Sequence, residues 1–253
     1  MRDFLDSDRS MPDQADGLRR LFSGAGTRWI AVAANPDVAF AGLALERLAS
    51  ACAQRDRKVL VVDAAGADPH EMAALDLAAC VEPLADNLLY LAARGLPLKR
   101  VDSRGTCEGF MRAIADAVPE AGVVIVHAEP LDLGRLFARH ELRPLLLAAD
   151  HPASVTSAYA NMKYLSQRHG LKVFDLLLVA AANSPRTSRI AEQLALTADR
   201  FSAAVLHDWA VIDPAAQAAM PAALARLARG LIGEAEPTPA RAAHDRTSMR
   251  AAP

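Results

Sequence analysis

Two polar side chains that could take part in catalysis or metal binding stand at the ends of apolar segments. Asp63 closes the apolar run in KVLVVDA (58–64), and His127 stands near the end of GVVIVHA (122–128). An aspartate at a strand end can hold Mg²⁺ through water or orient a nucleophilic water. The alternative is a carboxylate that only caps the following turn. A magnesium- or water-positioning aspartate could also close the second run, but His127 and Ala128 stand there instead.

The segment AANPDVAFAGLALERLA (33–49) follows the first apolar run, where a nucleotide-binding protein would place its phosphate loop. Such a loop needs glycines for close backbone approach and a lysine that reaches the phosphates. Pro36 lacks an amide hydrogen, Gly42 is the only glycine here, and the chain has no lysine before Lys58. The segment therefore favours a structural turn between a strand and a helix.

The remaining polar residues form no recognisable catalytic or metal-binding pattern. Asp150 and His151 lie near Ser154, Thr156 and Ser157, but closeness in sequence does not make a catalytic triad, and we expect a Ser or Thr to cap a helix there. The three cysteines are widely spaced, so we predict no metal ion and no disulfide, as in a reducing compartment.

Composition excludes several classes of protein. The 253 residues are 52% hydrophobic and 23% charged, with a net charge of −2 and a pI of about 6.4. A chain of this kind is not disordered overall, and it lacks the basic excess of a general nucleic-acid binder. It has neither a secretory signal nor an apolar run of the roughly 20 residues that a membrane span needs. We therefore expect a soluble cytoplasmic protein.

Short apolar runs alternate with amphipathic stretches from Trp29 onward. This order predicts βαβ units, and hence a doubly wound, mostly parallel sheet with helices on both faces. The predicted strands are 29–34, 58–64, 88–92, 122–128, 143–149, 174–182 and 201–206, and the predicted helices are 38–55, 70–80, 106–117, 131–140, 154–169, 186–197 and 221–232.

The predicted α/β domain spans 28–232 and is flanked by two different terminal segments. DQADGLRRLF (13–22) predicts a short helix, because Asp13 can cap it and Leu18 and Phe22 share one side. A flexible SGAG joint follows this helix. Residues 1–12 and 233–253 are polar or rich in Pro, Ala and Arg, and we predict that they are disordered.

Two of these stretches resemble a known family. DQADGLRRL (13–21) is similar to the N-terminal DQAxxLR segment of FlhG (also called FleN), the flagellar-number regulators among the MinD/ParA-like P-loop ATPases. ADHPASVTSAYANMKYL (149–165) resembles the run T-x-P-E-P-T-S-[IL]-T-D-A-Y-A-x-I-K of the same proteins. The resemblance spans roughly 13–232 and implies the P-loop NTPase fold of the MinD/ParA type.

The resemblance also implies a partner. In FlhG-like proteins the DQAxxLR helix docks on FlhF, a GTPase of the signal-recognition type, and stimulates its GTP hydrolysis. Gln14 is then the residue placed toward the partner's active site, where a glutamine can orient water. The partner-binding set becomes Asp13, Gln14, Leu18, Arg19, Leu21 and Phe22. Components of the flagellar switch (the C-ring) are further expected partners, and a position at the cell pole or inner membrane face is an expected location.

The nucleotide motifs of that family are degenerate in this chain. The family's KGGVGKS/T loop falls on NPDVAFAGL, and its D-A-D pair keeps Asp63 but has Ala65 as the second member. Its D-T-G-A-G motif falls on His127-Ala128-Glu129, and its adenine-contacting Asn falls on Ala180 or Ala181, with Asn183 nearby.

We therefore predict a pseudo-ATPase without a cofactor, and ATP with Mg²⁺ only if the degenerate loop still binds it. A divergent ATPase that uses Asp63, or a positioning protein of cellulose or pilus secretion, is the alternative.

The last predicted helix has one apolar face, formed by Leu224, Leu227, Leu231 and Ile232. FlhG and MinD relatives bind membranes through such a terminal helix, so the resemblance implies weak membrane contact at these four residues. Packing of the same face on the sheet is the alternative, because most amphipathic helices are surface helices of a domain.

Overall fold

The architecture is a single sheet covered by helices on both faces. A computed structural model describes residues 27–54, 57–66, 76–138, 142–216 and 220–233. The predicted N-terminal helix and the predicted tail lie outside the described residues. Within these ranges the chain forms eight strands: β1 Arg28–Ala33, β2 Val59–Asp63, β3 Val81–Ala85, β4 Leu88–Ala92, β5 Val123–Ala128, β6 Leu145–Ala149, β7 Val173–Val179 and β8 Val205–Ile212.

The strands lie in the order β3-β4-β2-β5-β1-β6-β7-β8. Every neighbouring pair is parallel except β3 and β4, which form an antiparallel hairpin at one edge. In the central strand β5, Val123 and Ile125 face one side, whereas Val124 and Val126 face the other. All four are fully buried, as expected of parallel strands that are covered on both faces.

Helices cover each face of the sheet. Helices α1 and α7 bury their apolar residues on one face, and α3 to α6 bury theirs on the other. The helices are α1 Ala41–Ala53, α2 Leu96–Lys99, α3 Glu108–Ala117, α4 Pro130–Leu136, α5 Pro152–His169, α6 Thr187–Ser202 and α7 Ala222–Ile232, with a 3₁₀ turn at Ala78–Cys80. The predicted fold class, a doubly wound and mostly parallel sheet, is confirmed.

Two strands differ from the prediction. The last strand is β8 (Val205–Ile212), whereas 201–206 had been predicted, because α6 continues through Ser202. His207 and Asp208 interrupt the apolar pattern that would have marked β8. The short strand β3 was not predicted, because it is a largely exposed edge strand that contains Pro83.

The polar residues at the start of β8 are used inside the structure. His207 Nδ1 lies 3.2 Å from the fully buried Asp175 of β7, whose carboxylate also accepts a hydrogen bond from Arg143. The Asp208 carboxylate accepts from the backbone N–H of Trp209 at 2.7 Å, and Arg226 donates to the Trp209 carbonyl at 3.1 Å. The backbone of β8 at this edge position is therefore satisfied by side chains.

Helix α7 packs on the sheet in this structure. It contacts α1, β1 and β8, and Leu224, Leu227, Leu231 and Ile232 are all buried. The four residues for which membrane contact was an expectation therefore contact protein here, as in the alternative interpretation. Among the described residues, no helix is long and apolar enough to cross a membrane.

We predict that Leu227→Ala lowers the free energy of unfolding by about 3 kcal/mol, because it empties a fully buried site. The matched control is Leu196→Ala, since Leu196 is 72% exposed on α6 and its truncation should cost about 0.5 kcal/mol or less. Urea unfolding measures both. Equal costs would mean that α7 does not pack on the sheet in solution, and would favour the membrane alternative.

Candidate functional site

The polar side chains converge at the carboxyl ends of the central strands. In the register of the sheet, Asp63 of β2 lies beside His127 of β5, and His127 lies beside Val32 of β1. The loop that follows β1 therefore begins next to His127. In a doubly wound sheet, ligands bind beyond the carboxyl ends of the strands, where these residues lie.

Asp63 is the centre of a hydrogen-bonded cluster. Its Oδ1 lies 2.9 Å from Nδ1 of His127, and its Oδ2 accepts from Nε and Nη2 of Arg94 at 3.1 and 3.0 Å. The Tyr90 hydroxyl donates to the same oxygen at 3.3 Å. Asp63 and His127 are both only 8% exposed, so a buried hydrogen-bonded pair lies at the carboxyl ends of β2 and β5.

The cluster keeps Asp63 ionised. Burial by itself would raise the pKa of Asp63, but the hydrogen bonds and positive charge of His127 and Arg94 outweigh it and lower this pKa below its ordinary value. Burial, reinforced by the Asp63 charge, raises the pKa of Tyr90. An ionised Asp63 accepts the Nδ1–H of His127, so Nε2 is the ring nitrogen that Asp63 does not engage. This Nε2 atom is buried and has no hydrogen-bond partner among the described residues.

Several polar groups of the loop after β1 form hydrogen bonds within the loop itself. Within this loop, Asp37 N–H donates to Oδ1 of Asn35, and Val38 N–H donates to the Asn35 carbonyl, both at 3.1 Å. Ala41 N–H donates to the Val38 carbonyl at 3.3 Å. Pro36 has no amide hydrogen. The amides of Asp37, Val38 and Ala41 are thus already bonded, and position 36 has no amide hydrogen to offer.

Helix α5 holds this loop in place. The buried Asn35 amide donates to the carbonyls of Leu147 and Ser154 at 2.8 and 2.9 Å. Nε2 of His151 lies 2.8 Å from the Asp37 carbonyl, and the Ser157 hydroxyl donates to the Asp37 carboxylate at 2.6 Å. These contacts fix the loop through side chains, whereas a phosphate-binding loop is fixed around its ligand.

The other sequence-predicted polar residues have structural roles. His151 caps α5, because its Nδ1 accepts from Ser154 N–H at 3.4 Å. Asp150 accepts the Ser184 hydroxyl and lies 3.7 Å from Arg186. Glu129 holds the N-cap position of α4, and Asp132 lies in the first turn of that helix. The cap of α5 is therefore His151, whereas a Ser or Thr cap was expected.

The remaining predicted site residues are placed as follows. Ala180 is buried at the end of β7, whereas Ala181 and Asn183 are exposed in the loop after it. Among the described residues there is no group of three or more His, Cys, Asp or Glu that could hold a metal ion. The predicted partner-binding residues Asp13, Gln14, Leu18, Arg19, Leu21 and Phe22 lie outside the described residues.

Sequence reasoning missed most of the partners of Asp63 and of the loop. Arg94 follows β4, and Tyr90 lies within it, so both reach Asp63 only because β4 is the neighbour of β2. Asn35 stands in a loop that was interpreted as a plain turn. The available signal was that Asp63 and His127 both close buried strands, which brings them together if those strands are adjacent.

Comparison of the sequence with family models and with curated proteins gives no match. No family model matches it, and no curated protein matches it. Solved structures do match across most of its length. MinD, a cell division protein of Aquifex aeolicus, is 13% identical with a TM-score of 0.57, and the match covers 83% of this chain and 99% of MinD.

Two further structures extend this comparison. The MinC:MinD cell division protein complex of Aquifex aeolicus matches at 12% identity and a TM-score of 0.56, covering 83% of this chain and 98% of the matched chain. Cobyrinic acid a,c-diamide synthase of Mycobacterium smegmatis with bound ADP and magnesium matches at 16% identity and a TM-score of 0.54, covering 82% and 94%. The fold is therefore that of the MinD/ParA-like P-loop ATPases.

We predict that Asp63→Asn lowers the free energy of unfolding at neutral pH by about 1–3 kcal/mol, because it removes a charged acceptor from buried partners. Arg94 is more than half exposed, so solvent screens its share and the contact with His127 should contribute more. Urea unfolding of the variant beside that of the unmodified protein measures the difference.

The loss of unfolding free energy caused by Asp63→Asn should depend on pH. Because folding lowers the pKa of Asp63, its stabilisation is present above the unfolded pKa of about 3.9 and is lost as pH falls through the folded value. The deficit of Asp63→Asn should therefore shrink in acid. Asp116→Asn, at an exposed aspartate of α3, is the control and should show almost no deficit. A deficit that stays constant with pH would contradict the ionised cluster.

Proposed function

We propose that this chain is a MinD/ParA-fold regulator that has lost nucleotide control and acts on a protein partner through its N-terminal segment. The partner is a GTPase of the FlhF type, and the process is the control of flagellar number. The observation that carries the proposal is that Asp63 is bonded to His127 and Arg94. Asp63 is the one acidic residue retained from the nucleotide motifs.

ATP with Mg²⁺ is the ligand that this fold implies, and the residues present do not fit it. The loop after β1 has no lysine, and the amides of Asp37 and Val38 donate to Asn35. The Asp37 carboxylate adds a negative charge where phosphates would lie. Each missing charge-assisted contact to a phosphate forfeits about 1.5–3 kcal/mol. The loss of several such contacts supports a chain that works without triphosphate.

The Asp63 cluster argues in the same direction. A carboxylate that serves Mg²⁺ or a reacting water must offer oxygens to the ligand. Both oxygens of Asp63 already have partners, one in His127 and the other in Arg94 and Tyr90. The guanidinium of Arg94 thus supplies the positive charge that a metal ion would otherwise bring.

The choice of partner rests on the terminal sequence and on what this fold can do. DQADGLRRL (13–21) retains every defined position of the DQAxxLR pattern, although the nucleotide motifs are degenerate. In this chain the partner segment keeps its pattern where the nucleotide motifs have lost theirs. MinD, which has this fold, has been solved in complex with the protein MinC, so a scaffold of this type can carry a protein partner.

Two other functions remain testable alternatives. A divergent ATPase would have to use Asp63 with donors outside the usual loop, and its hydrolysis would disappear in Asp63→Ala. A positioning protein of cellulose or pilus secretion would share the fold and the degenerate loop but would not stimulate an FlhF-type GTPase. Neither alternative accounts for the N-terminal DQAxxLR pattern.

We predict that calorimetric titration with ATP or ADP, each with Mg²⁺, gives no binding heat up to about millimolar ligand, where binding is worth only about 4 kcal/mol. The amides of Asp37, Val38 and Ala41 in the loop after β1 are already used, so a phosphate chain would have to break these hydrogen bonds to reach them. Micromolar binding would overturn the loss of nucleotide control and return the chain to the ATP-switched class.

We predict that the full-length protein accelerates GTP turnover by an FlhF-type GTPase, and that Gln14→Ala reduces this acceleration roughly tenfold or more, because the glutamine orients the attacking water. Gln167→Ala is the matched control, since Gln167 is exposed on α5 and should leave turnover unchanged. Absence of acceleration by the unmodified protein, or equal effects of the two variants, would refute the proposed function.

A further inference from the structure

A small cavity lies at the amino ends of β1 and β6. The Asp63 cluster lies at the other end of the strands, at their carboxyl ends. Its volume is about 200 Å³. Its apolar walls come from strand, helix and loop residues, and its rim carries two arginines; the lining residues are Thr27, Arg28, Trp29, Ile30, Phe137, Leu142, Arg143 and Leu231. A space of this size suits a single large side chain.

The chain enters the described domain at the rim of this cavity. The Thr27 hydroxyl donates to the Ala121 carbonyl at 3.1 Å, and Arg28 N–H donates to the Gly122 carbonyl at 2.9 Å. Nε of Arg28 also donates to the Leu231 carbonyl at the end of α7, at 2.8 Å. These bonds fix the point from which the preceding 26 residues extend, so that segment is tethered beside the cavity.

The aromatic wall of the cavity matches an aromatic occupant. The rings of Trp29 and Phe137 meet edge to face, with centroids 6.3 Å apart, and Trp29 is only partly buried. A further ring placed beside Trp29 would add a favourable aromatic contact. Leu142 at the opposite wall is also partly buried, so an apolar side chain would cover surface that is otherwise open.

Among the nearby residues of the chain, Phe22 has the right chemistry and reach. Four residues lie between Phe22 and Thr27, and an extended chain covers these five steps in about 17 Å. Gly24 and Gly26 lie between them and allow the chain to reverse. The other segment that begins nearby, EAEPTPARAA (234–243), contains no large apolar residue.

We infer that Phe22 seats in the cavity beside Trp29, so that the free protein holds its own partner-binding segment against the domain. This inference rests on the proposed function, because it gives a means of regulating that segment. Docking would bury Phe22 and hold Leu18 and Leu21 close to the domain surface. A partner would then have to compete with a tethered ligand, whose effective concentration through a short flexible linker is about millimolar.

Limited trypsin digestion of the full-length protein tests the docking, because Arg19 and Arg20 lie just before Phe22. Cleavage rates at these sites, followed by mass spectrometry, report the undocked population. Phe22→Ala should accelerate cleavage roughly tenfold, because it removes the burial of a large apolar side chain. Leu142→Phe, which fills the cavity from its other wall and leaves the cleavage sites unchanged, should accelerate it similarly. Phe4→Ala is the matched control and should have no effect.

A second readout does not depend on proteolysis. The chain has two tryptophans, so Trp209→Phe leaves Trp29 as the sole reporter. In that background, Phe22→Ala should increase quenching of Trp29 by acrylamide, whereas Phe4→Ala should not. Unchanged cleavage and unchanged quenching in Phe22→Ala would overturn the inference.

Other occupants give distinct results that also overturn it. Protection that rises with protein concentration would identify a second copy of the chain as the occupant. Shielding of Trp29 that disappears only in a variant ending at Gly233 would identify the tail. Stimulation of the GTPase is measured separately, so docking can fail while the proposed function holds, and the proposed function can fail while docking holds.

Discussion

Parallel strands buried on both faces impose the constraint on which the rest of this structure depends. The interior of β5 and its neighbours is entirely apolar, and helices α1 and α7 on one face and α3 to α6 on the other exclude water. Within these central strands, the polar side chains Asp63 and His127 accordingly stand at or next to the carboxyl end. Within this fold, a residue acquires a chemical role by closing a strand or by starting the loop that follows it.

The charge of Asp63 shows how this chain meets that constraint. A buried carboxylate is costly unless other groups compensate it. Here the compensation comes from within the chain, through His127 and Arg94, and the neighbouring loop is fixed by Asn35 and by helix α5. Groups of the chain itself therefore hold both the Asp63 carboxylate and the loop after β1, as the proposed function requires.

The sequence predicted the sheet because its central strands are short apolar runs with helices between them, and Asp63 and His127 could be located because each closes such a run. The partners of Asp63 could not be predicted, since Arg94 and Tyr90 depend on which strands are neighbours, and strand order is not encoded in local pattern.

Strand β8 was misplaced for a related reason. His207 and Asp208 look unsuited to a buried strand until Asp175 and Arg226 are brought to them by the fold. Local pattern therefore located the apolar elements, whereas the pairing of polar residues followed from tertiary structure.

The two edge strands have a consequence for how copies of this protein meet. An open strand offers unpaired N–H and C=O groups on which another chain can add, and such additions lead to aggregation. At one edge, β3 is short and carries Pro83, which removes a donor. At the other, Asp208 and Arg226 occupy the backbone groups of Trp209. Both edges therefore carry features that oppose the addition of a strand from a second copy of the chain.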